Sequence, residues 1–541
     1  MSLQPGFWFR RPRNARVDGV LVLVAMIIPT RVAAQLTRAE RTNFRETSSY
    51  TDVLTFLDSL QRASGEIRVG TLAVSVEGRP VPYVLASRPL VSGPAEAHRS
   101  GKLLVYLQAN IHAGEVEGKE AAQMLLRDLV AGPLRPLLDR TVLLVVPIYN
   151  VDGNERLAPG EENRPGQNGP AVIGRNTNGQ GLNLNRDYVK MEAAETRGAV
   201  GILSQWDPDL FIDLHTTNGS YHGYVLTYAP GLNPNSNPAT QYVRDRLLPE
   251  VRERMARRHR QPTFSYGNFR NQDPDSLTQG WETYDSRPRF GTNWMGLRGR
   301  LAVLSEGYSN ADFRTRTTAT YNFVRELLAL AGEQRAAIKS SIQSSDRLRP
   351  DSVSIRSRFA PPVVQEVIAE VTESAGDGAG GFVRRKRTGV YRPVRMPVFD
   401  RFVGTRREVI PAGYLIPPRL KDIVELLRRQ QIVVESVRGS WRPRVNAFLI
   451  DSLSVQSLFE GHRTVQAEGH WRTEPFDTTV AGWYLLRTDQ ALGVLASFLL
   501  EPASEDGIVT WNLLDREMQP RASYPILRLH GSANVPATSV P

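Results

Sequence analysis

LLVYLQANIHAGEVEGKEAAQMLLRDL, residues 103–129, contains a strand-like pattern followed closely by a helix-like pattern. Its first six residues form an apolar run of strand length that ends at polar residues. From Glu117 to Leu129 the apolar residues recur at helical spacing. A strand, a tight turn and a helix in direct succession are typical of an α/β fold, in which helices cover a buried sheet.

The same alternation continues along the chain on both sides of this stretch. Thr141 to Ile148 (TVLLVVPI) is a β-branched run of the kind buried on both faces of a sheet. The patterns also predict strands at 209–214 and 301–305 and helices at 193–206 and 318–340. We therefore expect an α/β sheet with helices on both faces, with active residues at strand ends and in the loops that follow.

The 541 residues are too many for one ordinary core, so we expect more than one folded part. Residues 35–345 carry the alternating strands and helices and are predicted to form the catalytic domain. Residues 346–388 are polar or glycine-rich and are predicted to be an irregular linker. Residues 389–541 are predicted to form a smaller, β-rich accessory domain with at least one helix, near 420–431. Its role is not predicted.

Residues 1–34 have the pattern of a signal peptide. A basic segment precedes the apolar run Val20 to Ile28, and Val32 to Ala34 provide small residues for cleavage before Gln35. The apolar run is short for a membrane span. We therefore expect export to a periplasm or the extracellular space, with no stable membrane insertion after cleavage; an uncleaved anchor is the alternative.

Composition excludes several classes of function. The chain has no cysteine, which excludes a disulfide framework, a thiol nucleophile and thiolate metal ligands. Any metal site must therefore use histidine and carboxylate side chains. The formal net charge is +11, but the arginines are scattered and form no compact basic stripe interleaved with aromatic residues, so we expect no nucleic-acid partner.

Three residues have the chemistry of a metal site. His112 and Glu115 follow the first predicted strand, and Gly114 between them is expected to allow a sharp turn. His215 lies at the end of a later strand, where a parallel sheet presents its ligands. Two imidazoles and one carboxylate leave a fourth position open for water, which is the pattern of a catalytic rather than a structural zinc site.

Other polar residues are expected near the same end of the sheet as the candidate metal ligands. Asn185 and Arg186 offer an amide beside a guanidinium fork that suits a carboxylate, and Arg175 on the same loop could face a developing oxyanion. Glu306 ends an apolar strand, where it could take a proton from a metal-bound water and return it to a leaving amine.

Together these motifs resemble the M14 family of zinc carboxypeptidases, over roughly residues 45–335. The order matches that of the family: His-x-x-Glu, then Asn-Val-Asp-Gly at 150–153, the Asn-Arg pair, a strand-end histidine and a strand-end glutamate. The resemblance implies a mixed, mostly parallel sheet with helices on both faces. It also implies one Zn²⁺ per chain, held by a ligand set that comprises His112, Glu115 and His215.

The resemblance assigns further roles residue by residue. Arg175 corresponds to the arginine that polarises the scissile carbonyl, Asn185 and Arg186 to the pair that holds the substrate carboxylate, and Glu306 to the general base. Tyr284 corresponds by spacing alone to a mobile catalytic tyrosine. The chain departs from the family at Asn183, where the family usually has an aspartate that would orient a ligand histidine.

The resemblance implies a metallocarboxypeptidase that removes C-terminal residues from peptides with a free carboxylate. Two alternatives remain open at this point. One is a zinc amidohydrolase acting on cell-wall peptides or N-acyl amino acids, because the Asn-Arg pair suits any terminal carboxylate. The other is a non-catalytic binding protein on the same fold, which would require a missing ligand or base. The oligomeric state is not predicted.

Overall fold

The computed structural model describes residues 35–273, 275–377, 383–439, 441–475, 480–529, 531 and 537–539. The predicted signal peptide, residues 1–34, lies outside the described residues. Among the residues that are described, no helix is both long enough and apolar enough to cross a membrane.

The strands of the first part of the chain are β1 (Ile67–Val74), β2 (Pro80–Ala86), β3 (Leu103–Ala109), β4 (Thr141–Val146), β5 (Ala158–Pro159), β6 (Val172–Ile173), β7 (Leu210–Thr216), β8 (Leu226–Pro230), β9 (Thr263–Ser265), β10 (Asn268–Phe269), β11 (Trp281–Glu282) and β12 (Leu301–Gly307). Eight of them form one sheet in the order β1-β2-β4-β3-β7-β12-β8-β9. The central neighbours β4, β3, β7 and β12 are parallel.

The helices are α1 (Arg38–Arg41), α2 (Tyr50–Ala63), α3 (Pro94–Arg99), α4 (Glu117–Ala131), α5 (Val151–Glu155), α6 (Gly160–Asn163), α7 (Ala194–Trp206), α8 (Pro238–Tyr242), α9 (Leu248–His259), α10 (Gly291–Leu297), α11 (Phe313–Glu333), α12 (Arg335–Arg347), α13 (Lys421–Arg429) and α14 (Gly493–Leu500). Helix α4 packs closely on β7 at Gly118. A Cβ at this position would lie only 2.8 Å from the Cβ of Leu214. This glycine lets the helix that follows the first metal motif approach the strand that carries the second.

The long helix expected at 318–340 is two helices in the structure. Gln334 leaves helical geometry between α11 and α12, at φ −93° and ψ 15°. Its side chain donates to Glu250 and accepts from the hydroxyl of Tyr242, both at 2.7 Å. These tertiary contacts fix a break that the apolar periodicity alone does not reveal.

The later strands are β13 (Ser352–Phe359), β14 (Val363–Asp377), β15 (Val383–Phe399), β16 (Phe402–Val409), β17 (Gly413–Ile416), β18 (Glu435–Val437), β19 (Arg444–Phe459), β20 (His462–Pro475), β21 (Tyr484–Arg487), β22 (Leu527–Leu529) and β23 (Ala537–Ser539). Seven of them form a sheet in the order β20-β19-β22-β17-β21-β18-β23. The prediction of a mixed, mostly parallel sheet packed with helices, followed by a β-rich C-terminal region, is confirmed.

The irregular linker expected at 346–388 is replaced by strands. This stretch contains β13 and β14 and the start of β15. The physical reason is pairing: β14 forms a long antiparallel ladder with β15, and β15 adds in parallel to β11 of the preceding part. Polar residues on the outer face of a two-stranded ladder resemble a linker in sequence. The division at 345 and 389 stays a prediction.

Candidate active site

The candidate metal ligands meet at the carboxyl ends of three neighbouring parallel strands. His112 and Glu115 follow β3, His215 lies in β7, and Glu306 lies in β12. In the pairing of β12 with β7, Glu306 stands directly opposite His215. The sheet order therefore brings together residues that are far apart in sequence, as expected for the edge at which an α/β sheet carries its site.

The turn between β3 and α4 depends on Asn110 as well as on Gly114. Asn110 adopts a left-handed backbone conformation, at φ 63°, and its side-chain nitrogen donates to the carbonyl of Ala113 at 3.2 Å. Gly114 contributes space: a Cβ there would lie 2.8 Å from Oδ1 of Asn176. The sharp turn that the sequence ascribes to the glycine is thus made by an asparagine, one of the residue types that tolerate this conformation.

Both candidate histidines present Nδ1 to the carboxylate of Glu115. The distance from His112 Nδ1 to Oε1 is 3.0 Å, and that from His215 Nδ1 to Oε2 is 2.9 Å. One potential ligand atom from each of the three residues lies within 4.8 Å of the others. His215 and Glu115 are buried and His112 is nearly so, which suits an ion held away from bulk water.

The other ring nitrogen of each histidine faces an oxygen of a neighbouring side chain. Nε2 of His112 lies 3.0 Å from Oδ1 of Asn183, and Nε2 of His215 lies 3.1 Å from the carboxylate of Asp213. In zinc sites, such partners fix the tautomer and the direction of the ligating nitrogen. The arrangement leaves both Nδ1 atoms as the metal-facing donors.

Arg164 is a buried cation of this site to which the sequence assigned no role. Its guanidinium donates to Oε1 of Glu115 at 2.6 Å and to the carbonyl of Thr217 at 2.8 Å. Burial alone would raise the pKa of Glu115, but Arg164 and the two histidines outweigh it and hold that pKa well below its usual range. No local pattern marks Arg164, because it lies in the long loop between the Asn-Val-Asp-Gly motif and the Asn-Arg pair.

Glu306 is buried beside the candidate ligands. Burial raises the pKa of its carboxyl to about 8; His215 opposes this shift, while Glu115 adds to it. It faces a cavity of about 300 Å³ whose lining also includes His112, Glu115 and His215. A carboxyl with a raised pKa beside a metal site has the properties of a general base.

Asn185 and Arg186 lie in the wall of the same cavity. The Asn185 side-chain oxygen accepts from the backbone N–H of Gly291 at 3.1 Å, and its nitrogen lies 3.3 Å from His215 Nε2. The Arg186 guanidinium is 4.0 Å from the ring centroid of Phe290. Among the described residues, Arg186 forms no salt bridge; burial lowers the pKa of its guanidinium, and the carboxylates of Glu460 and Asp285 oppose that shift.

The structure treats the two remaining candidates differently. Tyr284 lines the cavity, and its hydroxyl donates to Oδ1 of Asn293 at 3.3 Å. Arg175 has an exposed side chain and is not among the residues that line the cavity. Its backbone N–H bonds the carbonyl of Gly153, so the chain direction there is fixed. The structure therefore brings Tyr284 to the site and leaves Arg175 outside it.

Two arginines near Tyr284 are already neutralised by carboxylates. Arg287 pairs with Asp285, and Arg289 forms a buried pair with Asp506 at 2.7 Å. Asp506 also accepts from the backbone N–H of Arg289 at 2.8 Å. The positive charge of both arginines is therefore compensated, in the second case by a residue of the C-terminal region.

Comparison with known proteins shows which family and which relatives this chain is similar to. Residues 53–287 match the family model Peptidase_M14, described as zinc carboxypeptidase. The proteins named Carboxypeptidase 2 of Trichophyton equinum and Trichophyton rubrum are each 24% identical to this chain, over 84% of it and 81% of their own length. A crystal structure of a metallo-carboxypeptidase from Burkholderia cenocepacia gives a TM-score of 0.39 at 19% identity, over 54% of this chain and 70% of that one.

The matched region contains the candidate ligands but ends before Glu306, whose place beside them is given by the sheet register and by the lining of the cavity. Residues 53–287, which contain His112, Glu115 and His215, match the M14 family of zinc carboxypeptidases.

Proposed function

We propose that this chain is a zinc metallocarboxypeptidase that hydrolyses the C-terminal residue from peptides, with one zinc ion per chain. One observation carries the proposal: the two histidines and Glu115, the buried Glu306 and the guanidinium of Arg186 line one cavity. A metal site, a proton acceptor and a carboxylate-binding cation are the three parts that such a reaction needs.

The residues present fit zinc. His112 Nδ1, His215 Nδ1 and the Glu115 carboxylate supply two nitrogen donors and one oxygen donor, the ligand types of a catalytic zinc site that keeps a position open. A zinc ion held there would polarise the scissile carbonyl, acidify a water molecule and, as a nearby positive charge, favour the ionised form of Glu306. Arg164 holds Glu115 in place through a direct hydrogen bond.

Glu306 is the proposed general base. Its position opposite His215 places it next to the candidate metal ligands. It would take a proton from the attacking water and pass that proton to the nitrogen of the departing amino acid. The exposed Arg175 is not used in this scheme.

Arg186 is the proposed anchor for the terminal carboxylate of the substrate. Its guanidinium is positioned by the ring of Phe290 and by a 2.8 Å hydrogen bond to the carbonyl of Asn185. A fork of N–H donors in a mostly buried cavity binds a carboxylate with two parallel hydrogen bonds. This anchor would restrict cleavage to the last peptide bond of the chain.

Replacing Arg186 by methionine is expected to lower kcat/KM for peptides with a free C-terminal carboxylate by about 10²–10³-fold, the usual cost of losing one electrostatic donor. The same peptides with an amidated C-terminus should be poor substrates of both proteins. Arg257→Met, at an exposed position on α9, is the matched control. Equal losses on free and amidated peptides would contradict the anchoring role.

We propose export to a periplasm or the extracellular space as the location of this activity. The support is the basic, apolar and small-residue order of residues 1–34. We expect N-terminal sequencing of the exported protein to begin at Gln35. A chain that starts at Met1 and stays with the membrane fraction would instead indicate the uncleaved anchor.

A further inference from the structure

The tip of the β19–β20 hairpin reaches the candidate active site from the C-terminal region. Its turn residues, Glu460 and Gly461, both have left-handed backbone conformations, at φ 50° and φ 81°. Glycine adopts this conformation freely, whereas a glutamate seldom does. A two-residue hairpin loop of this kind requires this conformation at both of its residues, so the turn fixes the backbone that carries the Glu460 side chain.

Glu460 is linked to a candidate metal ligand through one intervening residue. Its Oε2 accepts a hydrogen bond of 3.2 Å from the backbone N–H of Asn183. The side-chain Oδ1 of Asn183 lies 3.0 Å from Nε2 of His112 and also accepts from the backbone N–H of Asn185, at 3.0 Å. Asn183 therefore contacts the Glu460 carboxylate through its backbone and His112 through its side chain.

The hairpin tip is held in this position by contacts on both sides of Glu460. Nε2 of His462 lies 2.8 Å from the carboxylate of Glu192, on the segment that follows the Asn-Arg pair. The ring of Phe459 lies 5.1 Å from the guanidinium of Arg289, which is fixed by its buried pair with Asp506. The location of the Glu460 carboxylate is thus set by the packing of the C-terminal region.

The two candidate histidine ligands differ in the charge of their partners. His215 has the carboxylate of Asp213 beside its Nε2, whereas His112 has only the neutral amide oxygen of Asn183. A carboxylate behind a ligating imidazole raises its basicity, and an amide oxygen does so less. The Glu460 carboxylate contacts the backbone of Asn183, so a negative charge lies behind Asn183 and not directly behind the imidazole of His112.

We propose that Glu460 is a positioning residue of the metal site, supplied by the C-terminal region. Its carboxylate fixes the Asn183 peptide so that Oδ1 orients His112, and it provides the negative charge that Asn183 lacks. This inference rests on the proposed zinc site, and it gives the C-terminal region a direct role in that site.

Zinc affinity of the full chain, measured by competition with a chromophoric chelator and without substrate, tests the proposal. Glu460→Gln keeps the acceptor oxygen but removes the charge, and we expect zinc binding about 10-fold weaker. Glu460→Ala removes both and should weaken it further. Asn183→Asp in the Glu460→Gln background places a carboxylate directly behind His112 and should restore the affinity.

Glu425→Gln, an exposed glutamate of α13 in the same region, is the matched control and should bind zinc as the wild type does. Melting temperatures of the metal-free proteins show whether each variant folds. An unchanged affinity in Glu460→Gln, or a loss that Asn183→Asp does not restore, overturns the proposal and leaves Glu460 as a structural cap. A wild type that binds zinc but cleaves no peptide refutes only the peptidase activity, because the affinities still decide the role of Glu460; a wild type that binds no zinc overturns both.

Discussion

Replacing Glu306 by glutamine is expected to lower kcat by at least about 10²–10⁴-fold, the usual contribution of a positioned general base. Glutamine has nearly the same shape but cannot accept the proton of the attacking water. No other carboxylate in the described lining of the cavity is free for that task, because Glu115 is a candidate ligand and Asp285 is paired with Arg287.

The measurement is steady-state hydrolysis of a short peptide, together with the zinc content of the same sample. Zinc content should equal that of the wild type, since Glu306 is not among the three residues whose ligand atoms converge. Glu253→Gln, at an exposed position on α9, controls for the chemical change itself. Turnover that survives in Glu306→Gln with zinc bound would remove Glu306 from the mechanism.

Replacing His112 and His215 together by alanine is expected to reduce zinc from about one ion per chain to none and to remove peptide hydrolysis with it. Glu115 alone cannot hold the ion, because a catalytic zinc site takes three protein ligands. Elemental analysis of purified protein after dialysis gives the metal content directly.

The matched control is the double variant His98→Ala/His470→Ala, which removes two exposed histidines. It should retain both zinc and activity. Chelation of the wild type should reproduce the loss in the ligand variant, and added zinc should restore the activity only in the wild type. A zinc-free wild type that is folded and still hydrolyses peptides would contradict the metal mechanism.

Several features of the site follow from local sequence because they depend on strand ends. His215 and Glu306 close apolar runs that only a buried parallel strand explains, so their place at one sheet edge follows once those strands are recognised. Asp213 also carries a usable signal, since a residue two positions before His215 on the same strand shares its face.

The prediction for Arg175 lacks structural support because it relied on distance along the chain and not on distance in space. The expected role of Arg175 rests on its proximity in sequence to the Asn-Arg pair, but its side chain is exposed in the structure. Arg164, in the same loop, is the arginine that contacts Glu115. A loop without periodicity gives no information about which of its side chains point inward, because its direction is set by contacts with the rest of the fold.

Apolar periodicity and the chemistry of histidine and carboxylate are local properties, so the central strands, the types of ligand and their order can be predicted from the sequence. The partners that surround those ligands are set by tertiary packing. Asn183 and Glu460 are 277 residues apart and meet through the packing of the C-terminal hairpin against the catalytic part. Such contacts depend on how sheets and loops pack as a whole, and no local pattern in either segment specifies the other.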